Sequence, residues 1–154
     1  MQRIANCILI SEGQVLLLKK PRRGWWVAPG GKMEPEETVL EAVCREYEEE
    51  TGLMLRDPSL CGVFTMCLEE RGKLEKEWMM FTFRAEGYGG ELLPHSPEGE
   101  LCWHPLDQVR GLPTSEIDRK ILSDVLDGGP LSIGRWVYNR EEEVLRHHLH
   151  GGLA

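Results

Sequence analysis

Residues 30–53 read GGKMEPEETVLEAVCREYEEETGL, and the rest of the chain is organised around this stretch. Six Glu fall between Glu34 and Glu48 and Glu49 and Glu50 follow, in a segment that still carries apolar residues at helical spacing. Val39, Val43 and Tyr47 recur every fourth position with Leu40 beside them, which predicts a helix with one buried stripe. Glu46, Glu49 and Glu50 stand three and four apart and share another face. Like charges at that spacing repel by roughly 0.2–0.5 kcal/mol per pair. A hard divalent cation such as Mg2+ converts the repulsion into coordination, because it favours carboxylate oxygens together with water and substrate phosphate.

The flanks suit such a site. Pro29-Gly30-Gly31 reads as a turn whose missing side chains permit close approach of a ligand. Pro35 suits a helix start, and Glu36 and Glu37 suit the positive end of the helix dipole. Gly52 supplies a stop just beyond the last carboxylates. A solvated acidic helix is the blander reading. It explains the number of Glu, but not the glycine pair, the lone Arg45 or Gly52 at their spacings.

These residues resemble the box of the Nudix (MutT-like) hydrolases, G-x5-E-x7-R-E-U-x-E-E-x-G-U, with U a bulky aliphatic. Gly31, Glu37, Arg45, Glu46, Glu49, Glu50, Gly52 and Leu53 fill its fixed positions over residues 31–53. Tyr47 departs from it, being large and mostly apolar but carrying a hydroxyl that needs a partner. The resemblance implies an α/β fold, an α/β/α sandwich around a mixed β-sheet. It also implies a metal-dependent pyrophosphohydrolase of nucleoside polyphosphates, using Mg2+ with Mn2+ as a possible substitute. Glu46, Glu49 and Glu50 would hold the metal, the Gly31 carbonyl would add a ligand, and Arg45 and Glu37 would support the box. Trp103-His104-Pro105-Leu106-Asp107-Gln108-Val109 also matches a family element, and the loop before it often supplies another carboxylate. Glu98 is the first choice for that role and for the metal shell, with Glu100 the other candidate. A polar surface loop is the alternative reading of that stretch.

The 154 residues predict one domain spanning 1–154, with 128–154 as a C-terminal extension. Composition is ordinary globular, 41% hydrophobic and 29% charged. No apolar run approaches the ~20 residues of a membrane span. The first residues lack a signal peptide's pattern. Cys7, Cys44, Cys61, Cys67 and Cys102 are scattered, which suits a reduced, cytoplasmic protein. A net charge of −8 argues against a polymeric nucleic-acid partner. Lys19, Lys20, Arg22, Arg23 and Lys32 nevertheless gather at the entry to the box, and Arg23 and Lys32 are candidates for substrate phosphate.

Along the chain, 3–10 and 14–19 predict a hairpin, 60–68 and 78–85 strands joined by a charged loop, and 87–90 a glycine loop. Residues 115–126 predict an amphipathic helix capped by Ser115, with Ile117, Ile121, Leu122 and Val125 buried. The segments LSIGRWVYN and EVLRHHLH predict a terminal hairpin, followed by a disordered GGLA. His147, His148 and His150 lack a Cys or acidic partner at ligand spacing and read as surface residues. A fold-retaining nucleotide-sensing module is the competing function; it would show degraded carboxylates, and none is seen.

Overall fold

The computed structural model describes residues 1–150; the terminal GGLA segment lies outside the described residues. Eleven strands are present among them: β1 (Gln2–Ser11), β2 (Gln14–Lys19), β3 (Trp26–Val27), β4 (Gly30–Lys32), β5 (Leu53–Arg56), β6 (Ser59–Glu70), β7 (Lys73–Ala85), β8 (Gly87–Gly90), β9 (Glu100–Pro105), β10 (Ser132–Tyr138) and β11 (Val144–His150). Two α-helices, α1 (Val39–Thr51) and α2 (Glu116–Leu126), and a short 3-10 helix at Leu106–Gly111 complete the fold.

The main sheet runs β11-β10-β6-β7-β1-β2-β3, with β4 joined to β1 and β9 to β2. It is mixed: β1 is parallel to β7 and β10 is parallel to β6, whereas β6 and β7 are antiparallel. Alternation along β1 sends its side chains to two cores. Ala5, Cys7 and Leu9 pack with Ala42, Val43 and Tyr47 of α1. Ile8 packs with Ile117, Ile121, Leu122 and Val125 of α2. The helices therefore cover opposite faces, which is the expected α/β/α sandwich.

Several local expectations change. Helix α1 starts later than Pro35: Thr38 is its N-cap, and Thr38 and Glu41 bond reciprocally at 3.1 and 2.9 Å. Pro35 and Glu36 instead form a turn in which Glu36 has φ 69°. Leu40 is 48% exposed, outside the buried stripe. Gly30 and Gly31 belong to β4, paired with Asn6 and Ala5. The charged stretch 69–77 is mostly strand, because Arg71 and Gly72, both at positive φ, suffice to turn β6 into β7. The glycines of 87–90 are β8, paired with β5. Ser115 caps α2, and its four predicted core residues are buried. The terminal hairpin forms, and β10 enters the main sheet beside β6.

Candidate active site

The site begins where β4 meets α1. A Cβ on Gly30 would lie 2.2 Å from the Ala5 carbonyl oxygen, and one on Gly31 would lie 2.2 Å from Glu46 Oε2. The glycine pair is thus required by close approach of β1 on one side and of a box carboxylate on the other. The capping box fixes where α1 begins, and Gly52, at φ 83°, ends it with its amide donating to the Glu48 carbonyl. Between these two ends, Glu46 and Glu50 point toward β4.

Arg45 ties the assembly together. Its Nε and Nη2 donate to the two oxygens of Glu37 at 2.6 and 2.9 Å, and Nη2 also donates to the Lys32 carbonyl at 3.0 Å. Nη1 reaches Glu46 Oε1 at 2.9 Å and Glu49 Oε2 at 3.3 Å. The guanidinium holds the Glu37 carboxyl down at about 2, with the Arg45 hydrogen bonds as the main cause. Arg45 and Glu37 therefore position the box, and the planar fork is what allows one side chain to brace helix, strand and carboxylate together.

Glu50 differs from its neighbours. It is 6% exposed and accepts the Gly30 amide at 3.1 Å. Burial is the main cause that pushes its carboxyl up to about 7; the Gly30 bond and Lys20 oppose, while Glu98 and Glu46 add to the rise. A buried carboxylate with one amide partner and acidic neighbours has unmet demand for positive charge. Among the described residues no three His, Cys, Asp or Glu side chains already close on one point. A hard divalent ion takes carboxylate oxygens together with waters and phosphate oxygens. The all-oxygen donor set fits such an ion.

Glu98 is exposed, in the loop before β9, yet its charge is felt by Glu50. Gly99 lets this loop close on the end of β2, since a Cβ there would lie 2.2 Å from the Lys19 carbonyl oxygen. Glu100 lies within β9 and its charge is felt by His104 instead. His104 packs edge-on against Trp26, 4.3 Å between ring centroids. Tyr47 fills its box position with no exposure, but its hydroxyl is buried without a hydrogen-bond partner among the described residues.

The structure does not bring Arg23 to the carboxylates. Its guanidinium donates to the carbonyls of Arg140 and Glu141, pairs with Glu142 at 3.5 Å, and lies over the Trp25 ring. The Lys32 side chain is exposed; its contribution to the box is the carbonyl that Arg45 grips. Lys20, whose charge is felt by Glu50, also lines a cleft of about 610 Å3 whose walls include Trp25, Asp118, Tyr138 and Arg140. Asp118 of α2 and Tyr138 and Arg140 of the terminal hairpin carry no local signal in the sequence, because only the folded chain brings these two elements beside residues 20–25.

Fold and box together define a Nudix hydrolase, and comparison with known proteins agrees: the NUDIX domain model matches residues 1–125. The chain belongs to that family and is an enzyme of the Nudix hydrolase class. It is 46% identical to an uncharacterized Nudix hydrolase, YvcI, of Bacillus subtilis, over 97% of this chain and 94% of the relative. The crystal structure of a mutator MutT protein from Bacillus halodurans matches with TM-score 0.94 and 49% identity, covering 97% of each chain. An ADP-ribose pyrophosphatase of Methanocaldococcus jannaschii is 44% identical over 77% of this chain and 69% of its own length. Nudix hydrolases use a divalent metal and act on nucleoside diphosphate derivatives. No helix among the described residues is long and apolar enough to cross a membrane.

Proposed function

We propose that the protein is a Mg2+-dependent pyrophosphohydrolase that cleaves the diphosphate linkage of a small nucleoside polyphosphate. A (d)NTP, an oxidised dGTP and a guanosine alarmone are all within reach of this chemistry. The observation that carries the proposal is Glu50, buried and gripped by the Gly30 amide, with Glu46 against the side-chain-free face of Gly31. Glu46, Glu49, Glu50 and Glu98 are the side chains that would hold the ion, with the Gly31 carbonyl as a further donor. Mn2+, another oxygen-preferring ion, would serve as a substitute. When bound, the metal neutralises the diphosphate and acidifies an attacking water.

The chain's own residues do the rest. One carboxylate of the set Glu46, Glu49, Glu50 and Glu98 takes the water's proton. The water oxygen bonds to one phosphorus, and the bridging oxygen departs with the other phosphate. Arg45, locked to Glu37 and the Lys32 carbonyl, keeps Glu46 aimed during this exchange. The cleft behind Lys20 takes the nucleoside, with Lys20 beside the phosphates. Lys32 remains a candidate phosphate contact at the rim, and Arg23 acts by anchoring the terminal hairpin that walls the cleft. Five free thiols suit a cytoplasmic setting.

The test is a panel of nucleotides with Mg2+: dGTP, 8-oxo-dGTP, GTP, ADP-ribose, dinucleoside polyphosphates and guanosine alarmones, with products resolved by ion exchange. The expected result is turnover of one compound far above the rest, abolished in Glu49→Gln. Silence across the panel from folded protein would overturn the proposal and favour nucleotide sensing.

A further inference from the structure

Tyr138, Asn139, Arg140 and Glu142 of the terminal hairpin line the cleft of about 610 Å3 together with Lys20, Trp25 and Asp118. All four hairpin residues lie beyond the matched residues 1–125. We propose that Tyr138 is a specificity-determining residue whose hydroxyl donates a hydrogen bond to the base of the bound nucleotide. The inference rests on the reading that this cleft takes the nucleoside.

The direction of one hydrogen bond carries the argument. Trp78 Nε1 donates to the Tyr138 hydroxyl oxygen at 2.8 Å. An indole N–H can only donate, so the phenol is the acceptor in this pair and keeps its own proton. Among the described residues that proton has no acceptor. Tyr138 is half-buried and lines the cleft, so a ligand atom there can take it. A hydroxyl that already accepts one hydrogen bond is polarised and donates the next more strongly.

The hairpin holds this donor in place. The β10–β11 register slips between Val137 and Tyr138, and such bulges re-aim the side chains beside them. In the turn that follows, Asn139 Nδ2 donates to Glu143 Oε1 at 3.1 Å and the Glu143 amide donates to Asn139 Oδ1 at 2.9 Å. Arg23 donates to the Arg140 carbonyl at 3.1 Å, and the Arg140 amide donates to Glu70 Oε1 at 2.9 Å. A donor fixed in this way discriminates between ligands, because one without a matching acceptor leaves it unpaired.

The other groups in the cleft suit a nucleotide with its base against Tyr138. Arg23 is engaged by Glu142 and Arg140 by Glu75. Lys20 and Arg22 line the cleft with no ion-pair partner among the described residues, and they supply counter-charge for phosphate. Asp118 also lacks an ion-pair partner among them. A carboxylate only accepts, so Asp118 disfavours phosphate and suits an N–H. A donor, an acceptor and the Trp25 wall together match a flat ring with an acceptor beside an N–H, which is the edge of a nucleobase.

The experiment uses the full chain without Mg2+, titrated with GMP, AMP, UMP and CMP. Binding is followed by calorimetry and by the Trp78 indole N–H resonance. The tightest of the four should move that resonance, because the partner hydroxyl engages the base. Tyr138→Phe should weaken that nucleotide about tenfold and bring it toward the weakest of the four. Trp78→Phe leaves the hydroxyl present but unheld and should narrow the spread in the same direction. An equal loss for all four nucleotides, a spread that neither substitution narrows, or a bound nucleotide that leaves the Trp78 resonance unmoved would overturn the inference. So would the absence of saturable binding at millimolar concentration. Turnover with Mg2+ separates the two readings: nucleotide hydrolysis indifferent to Tyr138→Phe sinks this inference alone, whereas base-selective binding without any hydrolysis sinks the pyrophosphohydrolase alone.

Discussion

At the scale of single residues, the proposed metal site rests on Gly31 and Glu50. A methyl on Gly31 collides with the end of the flexible Glu46 side chain. Gly31→Ala should therefore cost activity at least tenfold with little change in melting temperature, measured by kinetics and calorimetry on the same preparation; unchanged turnover would show that Glu46 need not sit there. For Glu50, the folded-state carboxyl titrates near 7 against an ordinary 4.5. The folded state then binds more protons than the unfolded state between these values, so metal-free stability falls as pH rises from about 4.5 to about 7. Denaturation across that window should show a smaller fall in Glu50→Gln than in the wild type; identical pH profiles would contradict the burial account. The residues of the box were legible in the sequence because they fall at fixed spacing within one continuous stretch, from β4 through α1 to the start of β5. The Lys32 carbonyl as Arg45's third anchor was not, nor was the capture of Arg23 by a turn more than a hundred residues downstream, since both are made by tertiary approach.

At the scale of elements, the position of α1 sets the position of its carboxylates. The reciprocal Thr38–Glu41 bonds define its first turn. Thr38→Ala should lower stability by about 1 kcal/mol, read from denaturant midpoints; a loss below a few tenths would mean that packing alone fixes the start. The signature Thr38-x-x-Glu41 is present in the sequence, but Pro35 and the acidic run upstream mimic a helix start. Helix α2 was legible in full, cap and buried face alike, because its period is undisturbed. The charged residues 69–77 looked like loop because the exposed outer half of a long hairpin carries polar side chains on both faces. The glycines of β8 looked like loop for a different reason: their backbone pairs with β5 without side chains to mark a strand.

At the scale of the whole molecule, the sheet is completed from the C-terminal end. β10 runs parallel to β6 over its full length, and Trp136 and Val137 are buried. Ending the chain after Leu131 would bare the β6 edge and remove those two core side chains. The truncated protein should lose its cooperative thermal transition; a sharp melt within a few degrees of the full chain would show the hairpin to be an accessory. The hairpin itself was readable from alternation, but its place in the sheet was not, since a parallel pairing with a distant strand leaves no local pattern. The central claim is that the carboxylates of α1 gather around a divalent ion to break a diphosphate linkage. Its most direct test is steady-state turnover of the preferred nucleotide against Mg2+ concentration, for the wild type and for Glu50→Gln with its fold verified by circular dichroism. No turnover is expected without the ion, saturation with it in the wild type, and loss of most turnover in the variant. Full activity in folded Glu50→Gln, or turnover indifferent to Mg2+ and Mn2+ alike, would contradict it.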